Sequence, residues 1–226
     1  METKISDLLT ALSSSDESER CYAIEDLQEV KNQEIVPYLV MGLKDRSVRV
    51  REAAVDALAN VGGQAVAEAT VALLNSEEVP LRNAAIEILE KLGCSALDVL
   101  VKYIHSSEVD VRKFSIDTVG KILSQSSESH PSILLNLVEC LSDEDANIAG
   151  AAAEALGLAK DDMVIPFLVS HISGANQSSW LQSNIIAALT RISSQKSLEA
   201  IKEIDKSQLS NEAKTYLEMA LNGEVL

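Results

Sequence analysis

The chain has 226 residues, of which 46% are apolar and only 3% aromatic. A formal net charge of −16 works against DNA, RNA and anionic lipid, whose binding rests on Lys and Arg neutralising phosphate. Abundant Ala, Leu, Ile and Val with few aromatics suits close helix packing, and excludes both a disordered chain and an aromatic-rich β-sandwich. The first residues, METKISDLLTALSSSDESER, are broken by Asp7 and do not form a signal peptide. No stretch approaches the ~20 apolar residues of a membrane span.

From there one pattern recurs along the chain. It starts at Glu19 as ERCYAIEDLQEVK, at Val50 as VREAAVDALANVG and at Leu81 as LRNAAIEILEKLG. It returns at Val111 as VRKFSIDTVGKIL, at Ile148 as IAGAAAEALGLAK and at Leu181 as LQSNIIAALTRIS. The second position falls at Arg20, Arg51, Arg82, Arg112, Ala149 and Gln182, giving steps of 31, 31, 30, 37 and 33 residues. Within each copy the apolar residues share one helical face, as Val50, Ala53, Ala54, Ala57, Leu58 and Val61 do. A shorter helix precedes each copy, for example over 35–43, 96–104, 131–141 and 163–172. The longest step holds a polar, Ser-rich insertion over 123–130.

Helix punctuation has the same phase. Pro37, Pro80, Pro131 and Pro166 all fall at expected helix starts, where a missing N–H costs little. Gly62, Gly63 and Gly93 fall at expected helix ends. The segment 197–226 keeps two helical stretches without the Val-Arg signature and reads as a terminal cap, with Glu203, Lys206, Glu212, Lys214 and Glu218 supplying a polar face.

Leu43, Asp45, Val50, Arg51 and Ala54 spell a pattern that resembles the HEAT repeat, in the short form of about 30 residues known from phycobilisome lyases. The resemblance implies an all-α, HEAT-like α-solenoid: an α-α superhelix of two helix layers, with the second helices on the concave side. The chain is expected to form a single domain over 1–226, with repeats near 4–33, 34–63, 64–94, 95–130, 131–161 and 162–196 and a cap at 197–226.

Repeats turn positions into columns. The Arg column (Arg20, Arg51, Arg82 and Arg112), with Asp45 and Asp143 at the matching acidic position, is expected to tie inter-helix turns together; the competing reading is a ladder for an anionic ligand. Five residues further on lies a carboxylate column of Glu25, Asp56, Glu87, Asp117 and Glu154. It is either a binding face for a basic partner or a solvated helix face, with Glu87–Lys91 and Asp117–Lys121 as i,i+4 pairs. Neighbouring repeats at ~8–10 Å set these acids too far apart to share a metal. Trp180, the only tryptophan, is a binding hot spot or a cover for the apolar end of the stack.

His105, His130 and His171 form no metal-ligand spacing, and His105 and His171 sit where they would cap helices. Cys21, Cys94 and Cys140 are odd in number, widely spaced and without a Cys-x-x-Cys, so neither a zinc site nor a disulfide framework is indicated. No nucleophile motif or phosphate loop is present. The expected function is therefore a non-catalytic protein–protein interaction scaffold in the cytoplasm. It would use no cofactor or metal, and would bind a protein or peptide of basic or mixed surface rather than nucleic acid or membrane. The alternatives are a modifying enzyme or assembly factor like the bilin lyases and, against the charge, a nucleic-acid binder.

Overall fold

The computed structural model describes residues 2–30, 32–172 and 178–223, with side chains from residue 5 onward. Most of the expected polar loop over 173–179, and the last residues of the cap, lie outside the described residues. Every regular element among the described residues is helical. The chain divides into two compact units, Met1–Val99 and Leu100–Leu226.

The first unit contains α1 (Glu2–Ala11), α2 (Glu17–Gln28), α3 (Val36–Gly42), α4 (Val48–Val61), α5 (Gly63–Val71) and α6 (Val79–Leu92). A one-turn helix, α7 (Leu97–Leu100), falls at the division. The second unit contains α8 (Val109–Gln125), α9 (Pro131–Cys140), α10 (Ala146–Ala159), α11 (Ile165–Ile172), α12 (Ser179–Ile192), α13 (Gln195–Glu203) and α14 (Asn211–Leu221).

Within the first unit α2, α4 and α6 pack side by side as one layer, and α1, α3 and α5 back them. Within the second unit α8, α10, α12 and α14 form the layer, backed by α9, α11 and α13. The α13–α14 pair packs on α12 as the earlier pairs pack on one another.

The 3.6-residue pattern explains the burial. Ile24, Leu27, Ala54, Leu58, Ile88 and Leu89 are almost fully buried and form the inner seam of the first unit; each Leu or Ile among them is worth ~1.5–3 kcal/mol on burial. The corresponding seam of the second unit includes Ile116, Val119, Ala152, Leu156, Ile185 and Leu189. Small residues set how closely the helices lie. A Cβ on Gly120 would meet the Ala155 Cα at 2.9 Å, and one on Gly157 would meet the Ala188 Cα at 2.7 Å. The backbones of α8, α10 and α12 therefore nearly touch, which no larger side chain would allow.

Caps fix the ends. Asp16, Asp145, Ser178 and Ser210 each accept a backbone N–H in the first turn of the helix they precede. All four prolines occupy the first or second helical position. Gly62 and Gly93 end α4 and α6 at φ 62° and 57°, a region that disfavours side chains.

Two expected boundaries move. The helix expected over 96–104 is regular only over Leu97–Leu100 and continues as hydrogen-bonded turns, with Tyr103 N–H donating to the Leu100 carbonyl at 2.8 Å. Such turns keep three- and four-residue spacing, so Leu100 and Ile104 stay buried and the apolar pattern cannot tell them from a helix. The insertion expected over 123–130 starts later. Leu123–Gln125 belong to α8 because Ile122 and Leu123 face the core, leaving a loop from Ser126 to His130.

Candidate functional site

The Arg column lies at the turns between the paired helices. Arg20 donates to both Asp45 carboxylate oxygens, at 2.7 and 2.9 Å, and to the Ser14 and Ser15 carbonyls at 3.0 and 3.3 Å. Arg51 donates to the carbonyls of Asp45 and Arg46, Arg82 to that of Ser76, and Arg112 to those of Ser106 and Ser107. Arg112 also pairs with Asp143 at 3.0 Å. The hydrogen bond from Arg20 holds the Asp45 carboxyl below the usual carboxylate range. Guanidinium forks are thus spent on the chain's own turns, a duty that suits five fixed donors.

Gln182 performs the same task without charge. Its buried amide donates to the carbonyls of Ile172 and Gln208 at 3.2 and 3.0 Å and accepts from the Ser210 N–H at 2.9 Å, tying α12 to the turn before α14. Read from the sequence as a break in the Arg column, it is a neutral continuation of the tie.

All five residues of the carboxylate column are exposed. In the first unit, Glu25, Asp56 and Glu87 occupy matching places on α2, α4 and α6. Lys91 bridges two of them, reaching Asp56 at 2.7 Å and Glu87 at 2.9 Å. Its ammonium is pushed above the usual lysine value, by Asp56 first and Glu87 second. In the second unit Asp117 pairs with Lys113 at 2.6 Å, so the expected Asp117–Lys121 pair is corrected. Both lysines stand four residues from Asp117, and the pair forms with the one that precedes it. Glu154 meets Arg191 at 3.3 Å. The column is therefore not an unbroken negative stripe, since a cation meets four of its five members.

Between α4 and α6 runs a groove of about 420 Å³. Val48, Val55, Pro80 and Ala84 supply its apolar lining; Arg51, Glu52, Asp56, Glu87 and Lys91 supply its charges. Sequence reasoning missed a recurring exposed valine, of which Val48 lines this groove. Val48, Val79 and Val109 are 57%, 51% and 44% exposed, each opening a second helix three residues before the column arginine. The signal was visible as V-x-x-R in VRVR, VPLR and VDVR, but a valine on a helix reads first as core.

Trp180 is 56% exposed at the start of α12. Its indole lies against Gly150 of α10, where an added Cβ would meet Nε1 at 2.6 Å. It therefore covers α10 and still presents aromatic surface. His171 ends α11 and reaches Ser142 Oγ at 3.2 Å, while His105 faces Glu139 at 3.8 Å. Cys21 and Cys140 are buried, and burial pushes the Cys140 thiol up to about 12; Cys94 is exposed. Among the described residues no group of three His, Cys, Asp or Glu is placed to hold a metal ion. Among them, too, no helix is long and apolar enough to cross a membrane.

Helix pairs packed side by side within each unit, with arginine-tied turns, define a helical-repeat protein. The chain belongs to the HEAT repeat family, whose pattern matches residues 5–90 and 134–222. No curated protein matches it. Among solved structures it is similar to the karyopherin Kap121p bound to RanGTP, with 14% identity and a TM-score of 0.65 over 96% of this chain and 29% of that one. It is also similar to Kap121p bound to the SUMO protease Ulp1p, with 14% identity and a TM-score of 0.59 over 94% of this chain and 28% of that one. The chain thus spans under a third of Kap121p, and at this identity the likeness concerns the fold alone. Human deoxyhypusine hydroxylase aligns at 16% identity and a TM-score of 0.47 over 96% of this chain and 83% of that one.

Proposed function

We propose that this protein is a non-catalytic, cytoplasmic protein-binding scaffold whose α4–α6 groove takes a segment of basic or mixed character from a partner protein. The observation that carries the reading is the groove itself. Its apolar lining is flanked by the carboxylates of Glu52, Asp56 and Glu87, which suits a segment mixing aliphatic side chains with Lys or Arg. The net charge of −16 favours encounter with such a partner. The Kap121p structures that share this helix-pair fold hold protein partners, RanGTP in one and Ulp1p in another.

The test uses a partner recovered by affinity capture from the native host. Its affinity is measured against salt for the wild type and for Asp56→Lys combined with Glu87→Lys. Binding should weaken as salt rises, and the double reversal should cost about tenfold or more in Kd. Equal affinity in the two proteins would exclude this groove.

A further inference from the structure

The turns before α4 and before α10 are built alike. In the first, the Asp45 carboxylate accepts from the Ser47 N–H at 2.7 Å and from Arg20 at 2.7 and 2.9 Å. In the second, the Asp143 carboxylate accepts from the Asp145 N–H at 2.9 Å and from Arg112 Nη2 at 3.2 Å, and pairs by charge with Arg112 Nε at 3.0 Å. They differ in the helix that follows, Arg51 against Ala149, and within the turn, Arg46 and Ser47 against Glu144 and Asp145. Arg51 reaches back to the Asp45 and Arg46 carbonyls at 2.8 and 3.3 Å. The same backward reach recurs from Arg20, Arg82 and Arg112 to their own turns. At that position α10 carries Ala149, which offers the Asp143 and Glu144 carbonyls no donor. Among the described residues no side chain takes the missing place. A groove of about 300 Å³ lies there instead, lined by Asp143, Glu144, Ala146, Ala149, Ser178 and Leu181 among others.

Local charge has shifted to match. The turn before α4 carries Arg46 beside Asp45 and is served by both Arg20 and Arg51. The turn before α10 carries Asp143, Glu144 and Asp145 and, among the described residues, is served by Arg112 alone. Of these three carboxylates Asp143 meets the guanidinium, Asp145 accepts from the Asn147 N–H, and Glu144 is exposed.

We infer that this groove is a guanidinium slot, filled by an arginine side chain from a partner polypeptide. A planar fork can donate to adjacent carbonyls and to a carboxylate at once, as Arg20 and Arg112 do on the sister turns. A lysine ammonium lacks the fork and is more strongly hydrated. Ala149 itself is buried, so the guanidinium enters beside exposed Glu144 and stops at the carbonyls. This site is separate in evidence from the α4–α6 groove and survives if that reading fails.

The probe is N-acetylargininamide, titrated into the full chain and followed through backbone amide signals in ¹⁵N–¹H spectra. Saturable shifts should centre on Ser142–Ala149 and appear at lower concentration than with N-acetyl-lysinamide. Ala149→Arg supplies the guanidinium from the chain itself and should erase the titration while raising Tm. Glu144→Lys, at an exposed position, should weaken the arginine probe about tenfold by like-charge repulsion. Absent or scattered shifts, an equal response to the lysine probe, or an unchanged titration in a folded Ala149→Arg protein would overturn the slot. Should Ala149→Arg fail to fold, Glu144→Lys decides: unchanged probe affinity there overturns it equally.

Discussion

The Arg20 guanidinium meets the Asp45 carboxylate through two bonds of 2.7 and 2.9 Å, joining α2 to the turn that launches α4. Arg20 is 4% exposed, so water does little to replace either bond if one partner is lost. Arg46 adds to the same join by donating to the Ser15 carbonyl at 2.9 Å. The repeats are thus fastened at their turns by charge as well as along their seam by apolar contact.

A pH prediction follows from that pair. The folded protein holds the Asp45 carboxyl below its ordinary value because Arg20 bonds to the charged form. The pair's stabilisation is therefore complete above the unfolded value of about 3.9. It is lost as pH falls through the lower folded value. Asp45→Asn should lower Tm at pH 7, and the gap to wild type should close as the pH drops below about 4. Melts from pH 7 to pH 3 measure it; a gap that does not narrow below about 4 would show that the loss is not electrostatic.

Gly157→Ala should destabilise the protein even though alanine is the better helix former by about 1 kcal/mol. The added Cβ would lie 2.7 Å from the Ala188 Cα, which is backbone and cannot swing away. A net loss of about 1–3 kcal/mol is expected from this overpacking, read by urea unfolding. A gain in stability would mean that α10 and α12 are not so close.

Leu58→Ala or Leu89→Ala should each cost about 2–5 kcal/mol, since both side chains are fully enclosed. Lys91→Ala should cost under about 1 kcal/mol, because its pairs with Asp56 and Glu87 are exposed to solvent. Comparable losses at Leu89 and Lys91 would invert the helix phase on which the fold rests.

Gln182→Ala should loosen the end of the second unit. It removes the donor to the Ile172 and Gln208 carbonyls and the acceptor for the Ser210 N–H. About 1–3 kcal/mol is expected for buried groups left unmatched. Hydrogen exchange should show it first, as lost protection over α14. Unchanged exchange at Ser210 and through Asn211–Leu221 would mean that the amide is dispensable.

The fold was legible from spacing alone, because a helix must bury one stripe and the stripe recurs at 3.6 residues. Leu58 and Leu89 were placed in the core on that ground, and Pro131 and Gly93 marked ends through their own backbone geometry. The spacing failed where two structures share it. The turns after Leu100 keep Ile104 buried as a helix would, so the pattern over 96–104 could not separate them.

The candidate site was only partly legible. The exposed carboxylates of Glu25, Asp56 and Glu87 follow from their helix phase, and the Glu87–Lys91 pair from four-residue spacing. That Lys91 also reaches Asp56, thirty-five residues back, depends on α4 and α6 lying side by side. The exposed valines at 48, 79 and 109 were hidden because hydrophobicity records what a residue prefers, not what remains to cover it.

The sequence by itself determined that this chain makes paired helices with one apolar seam, since propensity, period and capping act within a few residues of one another. Tertiary structure decided the reach of Lys91 to Asp56 and the use of Gln182 as a turn tie. It also decided the groove beside Ala149. Those outcomes turn on which atoms arrive within about 3 Å of each other, and helices distant in the chain set such distances only when they pack.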